Sequence, residues 1–167
     1  MGRKGRCLWE HTGHIIQTIG RKTRVFLPIF LLSYGQKGAV PMGAYRPYNP
    51  NPRAAKVGDC AVRAVAKALG IDWYQSYIEL VNEGLEQCDL PSANNVWGAV
   101  LRRHGFRRAA IPEECPDCYT VGDFIREHPA GTYIVALKNH VVTVEDGVLY
   151  DTWNSMDENP IYFWRRE

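Results

Sequence analysis

The sequence predicts an α+β fold, with helices first and an antiparallel sheet closing the chain, and three observations carry that expectation. Apolar residues recur at helical spacing from about residue 56 to residue 129. Beyond them lie β-branched and aromatic runs separated by Gly, Asp and Asn. No internal repeat, low-complexity tract or Gly-rich phosphate loop interrupts the order. Helices followed by strands are the α+β arrangement, and 167 residues with 46% apolar content suffice for one domain with its own core.

The elements follow in turn. Asp59 is a good N-cap, Val62, Val65, Ala66 and Leu69 keep helical spacing, and Gly70 is a suitable stop, so Cys60 falls in the first turn of a helix. A second helix is expected after Asp72, with Trp73, Tyr77, Leu80 and Val81 on one side and Gly84 ending it. Ser92 or Asn94 can cap a third, through Val96, Trp97, Val100 and Leu101 to Gly105; the pairs Arg102, Arg103 and Arg107, Arg108 are expected on its solvated end. Thr120 and Asp123 form a box-like start to a short fourth helix that Pro129 closes. The segments GTYIVALK, HVVTVE, VLYDTW and IYFW then read as strands of local hairpins.

Residues 1–41 differ from this pattern. They carry seven Lys or Arg against one acid, whereas the remainder sums to a charge of −4. The apolar run from Val25 to Leu32 holds Pro28 and is too short to span a bilayer, and no small-residue cleavage site follows it. Met42 opens an alternative start. The expected division is a disordered or non-native extension over 1–41 and a folded domain over 42–167. A weakly acidic body supplies no clustered Lys and Arg for phosphate, so neither a nucleic-acid nor a membrane partner is expected, and the protein is placed in the cytoplasm.

Chemistry gathers at three residues. A thiol acts as a nucleophile only as thiolate, and a helix N-terminus plus a nearby imidazole both lower its pKa, which are the settings of Cys60 and His140. Asp146-Gly147 is the dipeptide favoured in two-residue type I′ turns. Pairing outward from it sets Val144 opposite Leu149, Val142 opposite Asp151 and His140 opposite Trp153. His140 and Asp151 then share a face as diagonal neighbours about 7–8 Å apart, while Asn154 falls on the other face. A three-residue loop would reverse this. The reading gives Cys60 attack on a carbonyl, His140 proton transfer, and Asp151 control of the tautomer. Asp59, Trp153 and Asn154 are expected to line the site, Trp153 shielding the His-Asp pair. The Cys60 backbone N–H would face the oxyanion, with Asn51 and Lys56 as polar candidates for a second donor.

A buried core cysteine is the ordinary alternative for Cys60; what argues otherwise is the combination with His140 and Asp151. Cys115 and Cys118 have CxxC spacing, but a structural zinc site wants four ligands, and Cys88, His104 and His128 would complete one only by accident of fold. They read as loop cysteines, with no metal, no cofactor and no disulfide framework expected.

Cysteine at a helix start, histidine on a later strand and aspartate on the next resembles the papain-like cysteine peptidases, especially the bacteriocin-processing type. DCAVRA is similar to the CxxRA stretch of ovarian-tumour-type deubiquitinating peptidases, and GDCxxRA followed by GTY, H and YDTW resembles prophage and gut-bacterial proteins of the superfamily. The resemblance covers Gly58 to Trp164. It implies a papain-like fold, thiol hydrolase chemistry and a peptide or protein substrate. The family's Gln about six positions before the nucleophile is Ala54 here, and the Asp of the ovarian-tumour type is Val57. Two other readings share the residues: a transglutaminase-like acyl transferase, and a papain-like scaffold that binds peptides without catalysis.

Overall fold

Asp146 and Gly147 both adopt positive φ, 49° and 75°, as a type I′ turn requires, and the hairpin around them organises the sheet. The computed structural model describes residues 43–111 and 118–166, within a unit spanning Gly38–Glu167. The hairpin joins β4 (His140–Glu145) to β5 (Val148–Asp151), pairing Val144 with Leu149 and Glu145 with Val148. That is the expected register. A second tight turn at Lys138-Asn139 joins β4 to β3 (Thr132–Leu137).

Among the described residues the sheet has six strands. β6 (Tyr162–Arg166) pairs antiparallel with β3, and two strands not expected from the sequence complete it: β1 (Ala44–Pro47), parallel to β5, and β2 (Phe106–Ala110), antiparallel to β6. The order is β1-β5-β4-β3-β6-β2. Arg107 and Arg108 therefore belong to an edge strand and not to a helix end, a correction with a physical reason: Gly105, at φ 81°, turns the chain directly into β2. Arg108 then lies 3.9 Å over the Tyr162 ring. The sheet is mixed because the β1–β5 pair is non-local, and no hairpin signal precedes it.

Both faces of the sheet are covered, as alternation along β3 shows. Ile134 and Ala136 join the core made with α1 (Cys60–Leu69), α2 (Trp73–Gln87) and α3 (Asn94–Arg103), whereas Val135 and Leu137 join the core under α4 (Val121–Glu127). Full burial of a side chain such as Leu80, Phe106 or Phe124 contributes about 1.5–3 kcal/mol. Gly98 has a packing reason: a Cβ there would meet the Trp164 ring at 2.9 Å.

The helix ends depart from expectation in three places. α2 runs past Gly84 to Gln87 and stops at Cys88 in the left-handed region; Gly84 serves instead to let the returning chain close on it, with Asp89 N–H donating to its carbonyl at 2.9 Å. α3 is preceded by Ala93 with no side-chain cap, and Asn94, its first residue, accepts from the Trp97 indole N–H. Asp59 precedes α1 but its carboxylate makes no cap bond. The capping boxes of Asp72 with Gln75 and of Thr120 with Asp123 do form.

The expected extension, residues 1–41, and Cys115 lie outside the described residues. Cys118 is disulfide-bonded, which corrects its reading as a free loop cysteine. Among the described residues no helix is long and apolar enough to cross a membrane, and no cluster of three or more His, Cys, Asp or Glu could hold a metal ion. Cys88 ends α2, His104 bonds Glu79 at 2.7 Å, and His128 stacks on Phe124.

Candidate active site

Three ties lay α1 along β4, start beside start and end beside end. Thr143 Oγ1, fully buried, donates to the Ala64 carbonyl at 2.9 Å. Lys67, in the last turn of α1, forms an ion pair with Glu145 at the end of β4. At the other end the Val141 backbone N–H hydrogen-bonds the Cys60 sulfur. The consequence is that Cys60, first residue of α1, lies beside His140, first residue of β4.

His140 is held from two sides. Its Nε2 lies 2.8 Å from Asp151 Oδ2, and the Trp153 ring stacks on the imidazole at 5.6 Å between centroids. With Nε2 engaged by Asp151, Nδ1 is the nitrogen left to face Cys60. Asp151 is buried at 4% exposure and is itself fixed: Ser155 Oγ donates to Oδ2 at 2.8 Å and the Thr152 N–H to Oδ1 at 2.7 Å. The two-residue turn delivers this geometry by keeping Asp151 on the face of His140.

The electrostatics favour charge separation. Burial alone would push the Cys60 thiol up, but the hydrogen bond and charge of His140, the Val141 N–H and the Arg63 charge together hold it below the ordinary thiol range. Burial likewise opposes charging His140, and the Asp151 hydrogen bond and charge, joined by the Cys60 thiolate, outweigh it and raise its pKa to about 9. Both shifts run toward a thiolate and imidazolium pair. Cys60 also heads the helix N–H groups that have no intrahelical acceptor, so its backbone N–H is available to an anion.

Cys60 and His140 line one cavity of about 540 Å³, with Ala61, Ser92, Asn94 and Trp97 among its walls. A second, of about 430 Å³, is lined by Tyr48, Lys56, Val57, Arg63, Thr152 and Trp153. The sequence-derived site residues divide accordingly. Trp153 stacks on His140 but faces the second cavity, as does Lys56. Asn154 lines neither; its Oδ1 accepts the Met156 N–H at 3.3 Å.

Asp59 sits behind the nucleophile, away from the Cys60 cavity. Its buried carboxylate accepts from Asn51 Nδ2 at 3.1 Å and Trp73 Nε1 at 2.9 Å, and pairs with Arg63. Asn51 thus spends its amide on tying the preceding loop to α1. Neither Asn51 nor Lys56 shares the cavity of Cys60 and His140. What sequence reading missed are Ser155, which orients Asp151, and Arg63, whose i,i+4 spacing from Asp59 was a usable signal. No family model, curated protein or solved structure matches the chain.

Proposed function

We propose that the chain is a cysteine-dependent amide hydrolase, a peptidase or amidase, that works through a thioester on Cys60. The observation that carries the reading is the arrangement of one imidazole between two acids: Asp151 at 2.8 Å from Nε2, and the Cys60 thiol on its other side in an open cavity. A buried structural cysteine needs no such arrangement.

The thiolate attacks the carbonyl carbon, a C–S bond forms, and the carbonyl electron pair moves to oxygen, where the Cys60 backbone N–H receives it. Collapse breaks the C–N bond, and the departing amine takes the His140 proton. His140, now neutral, removes a proton from water, whose oxygen adds to the thioester. The C–S bond breaks, the acid leaves, and thiolate and imidazolium are restored. Asp151 holds the imidazole orientation and stabilises its charge throughout. A papain-like origin for this arrangement is supported by GDCAVRA, by the Cys, His, Asp order and by the placement of Cys60 at a helix start.

Iodoacetamide labelling at neutral pH tests the nucleophile. Cys60 is expected to react in preference to the exposed Cys88, to be lost in Cys60→Ala and to slow in His140→Ala. Equal reactivity of the two thiols would refute the proposal. Turnover of a fluorogenic peptide-amide library, abolished in Cys60→Ala, separates hydrolysis from peptide binding without catalysis.

A further inference from the structure

The acyl part of a thioester must lie where Sγ opens, and Cys60 opens into the cavity that contains Asn94 and Trp97, not into that of Lys56 and Trp153. Resting on the hydrolase reading, this places the acyl segment of the substrate on the α3 side of His140.

Asn94 is oriented there by a neighbour that admits one arrangement. Trp97 is 2% exposed, and its indole N–H can only donate; it donates to Asn94 Oδ1 at 3.1 Å. The amide is thereby set with Nδ2 as its remaining donor, and no acceptor among the described residues takes it. The cavity beyond is roomy because Ala61 and Ala136 line it where larger side chains would fill it, and its walls are mixed, with Ser92, Lys138 and Asn139 as well as the stacked Trp97 and Tyr162 rings. A fixed hydrogen-bond donor in the nucleophile's cavity recognises a carbonyl of the acyl segment.

We propose that Asn94 is a substrate-positioning residue, held by Trp97, that donates to a backbone carbonyl of the acyl segment. The substrate class is then a peptide with at least two residues on the acyl side. A small-molecule amide lacks the second carbonyl and gains nothing from Asn94.

The test uses peptidyl acyloxymethyl ketones, one or two residues long, as covalent probes of Cys60 in the full chain. The two-residue probe is expected to outpace the one-residue probe about two- to tenfold, the worth of one hydrogen bond. Asn94 is exposed, so Asn94→Asp is expected to fold, to keep an acceptor for Trp97 and to lose the donor. It should raise the half-saturating concentration of two-residue probes about two- to tenfold, leaving their maximal rate and the one-residue probes unchanged. A chain-length dependence unaltered in Asn94→Asp would overturn the proposal while iodoacetamide still labels Cys60. Failure of that labelling would instead sink the hydrolase reading, and this inference with it.

Discussion

Replacing Asp151 by Asn keeps the shape of the side chain and removes the charge that holds His140. In the native arrangement burial works against the imidazolium, and the Asp151 hydrogen bond and charge lead the effects that lift its pKa to about 9. Without them only the Cys60 hydrogen bond and charge oppose burial, and His140 titrates lower. Its charge then holds the Cys60 pKa down less, and the thiol shifts toward its protonated form. A hydrogen bond to a charged group is worth about 1.5–3 kcal/mol, so Cys60 alkylation should slow about ten- to a hundredfold, at about 1.4 kcal/mol per decade. The assay is the second-order rate of iodoacetamide with Cys60 in Asp151→Asn, beside an NMR titration of His140. Circular dichroism is needed in parallel, because Asp151 also accepts from Thr152 and Ser155. A folded variant that alkylates Cys60 at the native rate would refute the assignment of Asp151 as the group that charges His140.

Inserting one Gly between Asp146 and Gly147 makes the hairpin loop three residues long and turns Asp151 to the opposite face; Cys60 alkylation should slow as in Asp151→Asn, and an unchanged rate would deny the turn its role in the site. The pH dependence has a defined sign. His140, with its pKa raised, is charged below about 9 and loses its proton above, so peptide-amide hydrolysis should fall through about pH 9 while thiolate alkylation does not. The same group contributes fold stability that is full below its ordinary value of 6.5 and lost as pH rises through about 9. Cys60, lowered from 9.0, opposes it: its contribution is full above that value and lost as pH falls through the lowered one. Steady-state rates and thermal melts across that range, compared between native protein and His140→Ala, measure both; melting curves with the same pH dependence in the two proteins would contradict it.

Local signals in the sequence were enough for the helices, for the antiparallel hairpin and for the relation of His140 to Asp151. Each rests on residues close in the chain: a turn dipeptide demanding positive φ, a period of two, a capping box. They were not enough for β1 and β2. Ala44–Pro47 pairs with β5 across a hundred residues, and FRRAA has the composition of a helix end until Gly105 turns it. Asp59 shows the same limit from the other side: its N-cap signal was read from position alone, yet Asn51, Trp73 and Arg63 compete for its carboxylate and win it. Asn51, expected to face an oxyanion, was unreadable for that reason.

By itself, then, the sequence determined an α+β chain, a thiol at a helix start and an imidazole in register with a carboxylate, because those depend on backbone preferences within a few residues. Only the tertiary structure decided that the thiol meets the imidazole. Cys60 and His140 are brought together by Thr143 on the Ala64 carbonyl, by Lys67 on Glu145 and by the Val141 N–H on the sulfur, contacts that span some eighty residues of chain. Such contacts exist only once the helix has docked on the sheet, since hydrophobic burial sets that docking and carries no local spacing to read.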